Sequence, residues 1–325
     1  MVSSSDSVVG SFKGYDIIGD VHGCYHQLVE LLSLMGYRRR AGVYRHPNRQ
    51  AVFVGDLVDR GPAIRETLEL VRTMVEAGAA QVVLGNHEIS LLAYLTPKAD
   101  SRGDYVRPHT ERHLNQVEAT LEQFADSSAE LEDYCHWFYR LPLFLEFDYF
   151  RVVHACWDQQ VIDALSGDEE GAFLSLTRMQ HWGEPGSTVR QGIDRLTRGT
   201  DMPLPGNMHL VGSDGNARRF FRTKFWLENP RTYNDVLFQP DALPAGIAPL
   251  PISDADRKRL AFYGPEQKPL FVGHYWRSGQ LQPLADHIAC LDYCAVTGGR
   301  LVAYRLDRCG PLSADHFVSV QGLTQ

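Results

Sequence analysis

Three short segments concentrate residues that bind metals and phosphate: "GDVHG" at 19–23, "GDLVDRGP" at 55–62 and "GNHE" at 85–88. Two later segments, "VHA" at 153–155 and "GHYW" at 273–276, each add one imidazole. In an extended segment Asp20 and His22 project to the same side, where a carboxylate oxygen and an imidazole nitrogen can share one cation. With Asp56, Asn86, His154 and His274 they form a mixed oxygen and nitrogen set. Such a set is of the size that holds two divalent transition metals bridged by a carboxylate, here Asp56. No thiolate takes part, which disfavours a structural zinc site. Mn²⁺, the expected ion, or Fe or Zn²⁺ suits these donors better than Ca²⁺, which takes oxygen ligands.

The residues beside these donors supply what hydrolysis of a phosphoester still needs. Arg60, four positions after Asp56, carries a guanidinium able to clamp phosphate oxygens in a bidentate manner. His87 follows Asn86 and is placed to protonate a leaving alkoxide, while Asp59 orients that imidazole and holds it charged. Gly61 and Pro62 then break the chain before the next helix.

These side chains need a scaffold that brings distant segments to one place. Five apolar runs share one grammar: "YDIIGD", "AVFVGD", "QVVLGN", "FRVVHA" and "LFVGHY". Each has strand length and composition and ends on Asp, Asn or His near a breaker. Segments of helical character follow the first three, giving a β-α-β-α-β-α rhythm, and such sheets place ligands beyond the carboxyl ends of their strands. The polar strand ends are therefore expected in one crevice. Residues 110–140 predict two helices with a short break, and "LPLFLEFDYFRVVHA" predicts a hairpin turning at Asp148. Residues 288–307 predict a second hairpin with "TGG" at its turn. Patterning weakens from 167 to 265, which reads as an insertion or cap within a single domain spanning 1–325.

The composition sets limits. With 325 residues, 44% of them hydrophobic, the chain can bury a sizeable core. Its net charge of −8 opposes general nucleic-acid or anionic-membrane binding but permits a local basic pocket. No stretch reaches the ~18 apolar residues of a membrane span, and the first dozen residues do not read as a secretory signal. Six cysteines (Cys24, Cys135, Cys156, Cys290, Cys294, Cys309) without CxxC spacing predict reduced thiols and a cytoplasmic protein. The arginines at 38–40 read as a solvated helix end, and "ARRFFRTKFW" at 217–226 as an amphipathic strand or a substrate contact.

The motifs "GDVHG", "GDLVDRGP", "GNHE", "VHA" and "GHYW", in this order, resemble those of the calcineurin-like metallophosphoesterases. The likeness is to the branch containing serine/threonine protein phosphatases and bacterial diadenosine tetraphosphatases. The resemblance implies an α/β (α+β) fold, a central β-sandwich flanked by helices, with a dinuclear site at its edge. It assigns Asp20, His22 and His274 to one metal, Asn86 and His154 to the other, and Asp56 to the bridge. It implies attack on phosphorus by a metal-bound hydroxide, with Arg60 on the phosphate and His87 as acid. Arg198, in "RLTRGTD", is the candidate for a second phosphate-binding arginine, and Asp292 for a structural or supporting role. The leading expectation is hydrolysis of phosphomonoesters, including phosphoserine or phosphothreonine in a phosphorylated protein. The alternatives are a diadenosine tetraphosphate hydrolase acting on a small nucleotide, and a binding protein that keeps the fold without turnover.

Overall fold

The computed structural model describes residues 12–99, 103–167, 169–211, 217–239, 242–307 and 310–324. Cys309 lies outside them, as do the first eleven residues read above for a signal. Ten strands build two sheets. The first holds β1 (Gly14–Ile18), β2 (Arg49–Phe53) and β3 (Ala80–Val82), together with β8 (Asp292–Tyr293), β9 (Arg300–Leu306) and β10 (Phe317–Gln321). Its order is β8-β9-β1-β2-β3, with β10 also paired to β9. The β1–β2 and β2–β3 pairs are parallel, whereas β9 runs antiparallel to β1. The second sheet, ordered β7-β6-β5-β4, contains β4 (Phe144–Glu146), β5 (Arg151–Val153), β6 (Leu270–Val272) and β7 (Ile288–Cys290).

Alternation along these strands explains why they stack. Ile17, Val52, Val54 and Val83 of the first sheet meet Phe150, Val152, Phe271 and Ala289 of the second in one buried cluster. The next residues along, Ile18 and Phe53, face the opposite way into the core shared with the helices. Helix α1 (Tyr25–Leu34) buries Leu28, Leu31 and Leu32 there, and α2 (Ile64–Glu76) buries Ile64, Leu68, Val71 and Met74 at helical spacing. Helix α3 (Asn86–Leu95) is buried on every side from Asn86 to Tyr94, so its sequence carries little amphipathic pattern. Helices α4 (Glu111–Gln123) and α5 (Ser128–Phe138) follow with the expected break.

Three readings are refined. The five apolar runs do not share one sheet: the first three lie in one layer and the last two in the other, so the site is assembled between layers. Residues 288–307 are not one hairpin, because the chain passes from β7 in the second sheet to β8 in the first at Leu291; only β8 and β9 pair as a hairpin. Arg38–Arg40 is an exposed strand paired with Val43–Arg45 and not a helix end.

After α6 (Gln159–Ser166), helices α7 (Leu176–Trp182) and α8 (Thr188–Arg198) bury Met179, Trp182, Ile193 and Leu196 in the main core. A small separate core then gathers Met202, Leu204, Phe221, Tyr233, Val236, Leu243, Ile247 and Ile252. It lies on a three-stranded sheet of Asp201–Pro203, Phe220–Thr223 and Leu237–Gln239. Among the described residues, no helix is long and apolar enough to cross a membrane.

Candidate active site

All nine residues singled out from the motifs meet in one place. Asp56, just past β2, is the hub: its Oδ2 lies 3.3 Å from His154 Nε2, 3.5 Å from His22 Nε2 and 4.0 Å from His87 Nε2. Its other oxygen, Oδ1, accepts the backbone N–H of His87 at 2.9 Å, at the first turn of α3. The carboxylate is thus oriented by a helix N-terminus while one oxygen faces three imidazoles, the disposition required of a bridging ligand.

Second partners fix the histidine tautomers. His22 Nδ1–H donates to the Val58 carbonyl at 2.7 Å and His154 Nδ1–H to the Val54 carbonyl at 2.7 Å, so each presents Nε2 to the centre. Asn86 Oδ1 lies 2.7 Å from His274 Nδ1 and 3.2 Å from His154 Nε2, and the His274 N–H donates to Asp20 Oδ2 at 3.0 Å. The His274 ring therefore sits with Asn86 and His154, whereas the resemblance had grouped it with Asp20 and His22. The backbone of His274, not its ring, is what contacts Asp20.

Glycines allow these ligand turns to pack. A Cβ on Gly85 would collide with the Asp56 carboxylate, and one on Gly273 with that of Asp20. Among the described residues eight non-glycine residues have positive φ, and five of them are His22, Asp56, Asp59, Arg60 and His274. Side chains rarely adopt that conformation, and its clustering here marks backbone strain held by the surrounding contacts.

The donor set can be tested for fit to cations. Asp20, Asp56 and Asp292 are all buried, and Asp20 is pushed well above the usual carboxylate range by burial, then by Asp292 and Asp56. Burial alone would lower His154, yet Asp56 and Asp20 raise it to about 10. The carboxylates therefore favour positive charge at His154, whereas burial lowers His22 to about 3 and holds His274 well below the usual imidazole range. Asp20 Oδ1, Asp292 Oδ2 and His274 Nε2 are buried without a protein hydrogen-bond partner. Buried polar atoms are ordinarily paired. Two triads, Asp20–Asp56–His154 and His22–Asp56–His87, each bring their donor atoms within 4.8 Å of one another and share Asp56. These residues fit divalent cations.

Beside this centre, His87 Nδ1 lies 2.6 Å from Asp59 Oδ2, and Thr120 Oγ1 of α4 donates to Asp59 Oδ1 at 2.5 Å. Burial pushes Asp59 up to about 7, against the hydroxyl of Thr120. Burial, with Arg60 and Arg198, pulls His87 down to about 3, opposed by Asp56. Because Nε2 accepts from Arg60, the neutral His87 ring carries its proton on Nδ1 and donates it to Asp59 Oδ2. Asp59 thus orients the ring but does not hold it charged, contrary to the role first read for Asp59. Arg60 donates from Nη1 to His22 Nε2 at 3.1 Å and from Nη2 to His87 Nε2 at 3.0 Å. Its guanidinium also stacks 5.0 Å from the ring of Trp276, which is 56% exposed.

Several site residues escaped the sequence reading. Glu88 accepts four backbone N–H groups, those of Asp56, Leu57, Val58 and Gly85, at 2.7–3.2 Å. Its signal was present: it stands at the third position of α3, where a carboxylate reaches back to the helix start. Thr120 lies 61 positions from Asp59 and no local pattern reveals it. Arg222, in the segment left open between strand and substrate contact, stacks 5.9 Å from Tyr275 and is the strongest charged influence lowering His274. Arg198 reaches Ser90 Oγ of α3 at 2.9 Å, on the turn after His87.

Residues 15–169 match the family model described as calcineurin-like phosphoesterase. Over that region the chain is similar to the calcineurin-like metallophosphoesterases. It is 50% identical over 82 residues, 25% of this chain and 33% of the relative, to the asymmetrical bis(5'-nucleosyl)-tetraphosphatase of Halalkalibacterium halodurans. It is 30% identical over 198 residues, 55% of this chain and 61% of the relative, to the symmetrical bis(5'-nucleosyl)-tetraphosphatase of Psychromonas ingrahamii. The chain thus spans between about a third and three fifths of the length of these relatives. A protein serine/threonine phosphatase from Saccharomyces cerevisiae aligns with 98% of this chain and 82% of its own, at 13% identity and a TM-score of 0.47.

Proposed function

We propose that this protein hydrolyses a phosphoanhydride bond of a dinucleoside polyphosphate, diadenosine tetraphosphate being the representative substrate. The observation that carries the reading is Arg60, a phosphate clamp that spans His22 and His87 while stacked on the partly exposed ring of Trp276. A nucleotide offers both halves of that surface, phosphate oxygens for the guanidinium and a flat base for the indole. The names of the relatives, both asymmetrical and symmetrical tetraphosphatases, support the same substrate class. A phosphomonoester, such as phosphothreonine in a protein, is the second reading, because the same clamp and acid suit it.

In this reading Asp20, His22, Asp56, Asn86, His154 and His274 hold two divalent ions, with Mn²⁺ the expected species. Bound there, the ions would polarise phosphoryl oxygens and make water a stronger nucleophile at neutral pH. Arg60 releases the two imidazole nitrogens and turns its fork onto the phosphate, with Arg198 as a second cation. Water adds to one phosphorus and gives up a proton to solvent as the P–O–P bridge breaks, and the electron pair stays on the bridging oxygen of the departing phosphate. With its Nδ1–H held by Asp59, His87 takes up a proton at Nε2 once Arg60 has turned away and passes it to that oxygen. Of the 167–265 region expected as a cap, the part with its own small core, on the sheet of Asp201–Pro203, Phe220–Thr223 and Leu237–Gln239, takes that role. The five described cysteines are free thiols, which favours a cytoplasmic setting.

The test is an initial-rate comparison of the Mn²⁺-loaded protein on diadenosine tetraphosphate and on a phosphothreonine peptide, with nucleotide products separated by chromatography. The expected result is at least tenfold faster turnover of the dinucleotide. Faster turnover of the peptide would move the assignment to the phosphomonoester reading, and turnover of neither would reject both.

A further inference from the structure

Beside the Trp276 loop, the end of the first sheet opens into a cleft of about 570 Å³, lined by Arg277, Tyr293, Cys294, Gly298 and Arg300 among others. The two arginines are its charged residues, and among the described residues no carboxylate lines it. Elsewhere on this chain of net charge −8, arginines such as Arg49 and Arg72 are paired with Asp16 and Glu76. Arg277 and Arg300 have no such partner among the described residues. Arg277 is half-buried, its Nε has no hydrogen-bond partner, and its guanidinium lies 5.9 Å from the ring of Phe238. A guanidinium carries five N–H donors, and buried donors are ordinarily paired. An anion in the cleft supplies the missing acceptors. Arg300, exposed at the start of β9, stands on the strand face that carries Val302 and Tyr304 into the cluster between the sheets. Its side chain therefore belongs to the mouth of the crevice between the two layers.

The cleft shares a wall with the catalytic centre, and contacts on both sides build that wall. Arg277 follows Trp276, whose ring is stacked 5.0 Å from the guanidinium of Arg60. The Arg277 N–H donates to the Asp292 carbonyl at 2.9 Å, and Asp292 Oδ1 accepts the Cys294 N–H at 3.0 Å. Leu291, one residue earlier, lies against Gly19, where a Cβ would come within 2.0 Å of the Leu291 carbonyl oxygen. Gly19 precedes Asp20, so direct contacts lead from a proposed metal ligand through 291–294 to Arg277.

We propose that Arg277 and Arg300 form an anion subsite that receives the phosphates of the substrate lying beyond the bond being cut. Arg60 and the metal centre hold the phosphorus under attack, and the cleft takes the next phosphates along the chain. The identity of the ligand rests on the dinucleoside polyphosphate reading above. The subsite gives that reading a physical basis for preferring a chain of phosphates to a single one, because two guanidinium groups without acidic partners attract a multiply charged anion.

The probe is inorganic tripolyphosphate, titrated by calorimetry into the metal-free protein so that chelation of Mn²⁺ plays no part. Arg277→Ala/Arg300→Ala removes both guanidinium groups, and a thermal melt checks its folding. Arg300→Glu, at an exposed strand end, is the second variant and decides the matter where the double variant is unstable. Arg39→Ala/Arg40→Ala removes the same charge from the separate exposed hairpin and is the control for net charge. The expected result is a tripolyphosphate affinity about 10- to 100-fold weaker in the double variant and at least about tenfold weaker in Arg300→Glu, from the loss of charge-assisted contacts. The control should stay within about twofold of the unaltered protein. Unchanged affinity in the cleft variants, an equal loss in the control, or no binding by the unaltered protein overturns the subsite. Diadenosine tetraphosphate turnover by the unaltered, Mn²⁺-loaded protein is scored separately. Its absence alongside arginine-dependent tripolyphosphate binding rejects the substrate reading and keeps the subsite. Its presence with binding indifferent to Arg277 and Arg300 does the reverse.

Discussion

Replacing Glu88 by Gln tests how the metal centre is held in shape. The two Glu88 oxygens accept four buried backbone N–H groups: Oε2 takes Asp56 and Gly85 at 2.9 Å each, and Oε1 takes Leu57 and Val58 at 2.7 and 3.2 Å. That acceptor-only pattern is the ionised carboxylate, held so although burial and Asp56 push its pKa up to about 7. Glutamine is nearly isosteric but turns one oxygen into an NH₂ donor, so two buried N–H groups lose their acceptor and face another donor. At about 1–3 kcal/mol for each unsatisfied buried group, the loss is about 2–6 kcal/mol. That is a large part of the ~5–15 kcal/mol that keeps a domain folded. Urea denaturation of metal-free Glu88→Gln should show this loss, and calorimetric titration should show weaker Mn²⁺ binding, because the Asp56 turn loses its anchor. Glu118→Gln, on the exposed face of α4, is the control and should lie within about 0.5 kcal/mol of the unaltered protein. A Glu88→Gln protein matching that control in stability and Mn²⁺ affinity would refute the clamp.

Three further outcomes follow from the site. Arg60→Ala should lower kcat/KM on diadenosine tetraphosphate by about 100-fold or more, and Arg60→Lys should recover little of it, since the ammonium cannot form the fork; a lysine variant within threefold of the unaltered enzyme would count against bidentate clamping. His87→Asn should cost about 10²–10⁴-fold on poor leaving groups and far less on p-nitrophenyl phosphate, whose phenolate departs without a proton; equal losses on both would remove His87 from the acid role. Asp59 has a raised pKa, from 3.8 to about 7, so its contribution to the stability of the metal-free protein is full below about 3.8 and fades as pH rises through about 7. Asp59→Asn should flatten that part of the urea-stability profile, and an unaltered slope would place the titration elsewhere.

Much of the fold and centre was legible because the signals are local. A β-rich run closed by Gly-Asp, Gly-Asn or Gly-His states both a strand and the donor at its end, and Gly85 and Gly273 show why glycine is needed there. The helical spacing of Ile64, Leu68, Val71 and Met74 likewise places α2 without any tertiary information. What escaped depends on contacts between distant parts of the chain. The division of the strands between two sheets is set by pairing, and β1 pairs with residues nearly three hundred positions away in β9. Thr120 becomes part of the site only because α4 packs over the Asp59 turn. The His274 ring meets Asn86 while its backbone N–H is held by Asp20, a geometry invisible in "GHYW". The weak patterning of 167–265 concealed a division: α7 and α8 join the main core, and only the following segment builds a core of its own.

The central claim is a pair of divalent ions bridged by Asp56, and metal stoichiometry tests it most directly. Protein saturated with Mn²⁺, freed of excess ion and measured by elemental analysis should carry two ions per chain, and Asp56→Asn, correctly folded by circular dichroism, should carry one or none. A single ion in the unaltered protein, or two retained in Asp56→Asn, would contradict the bridge.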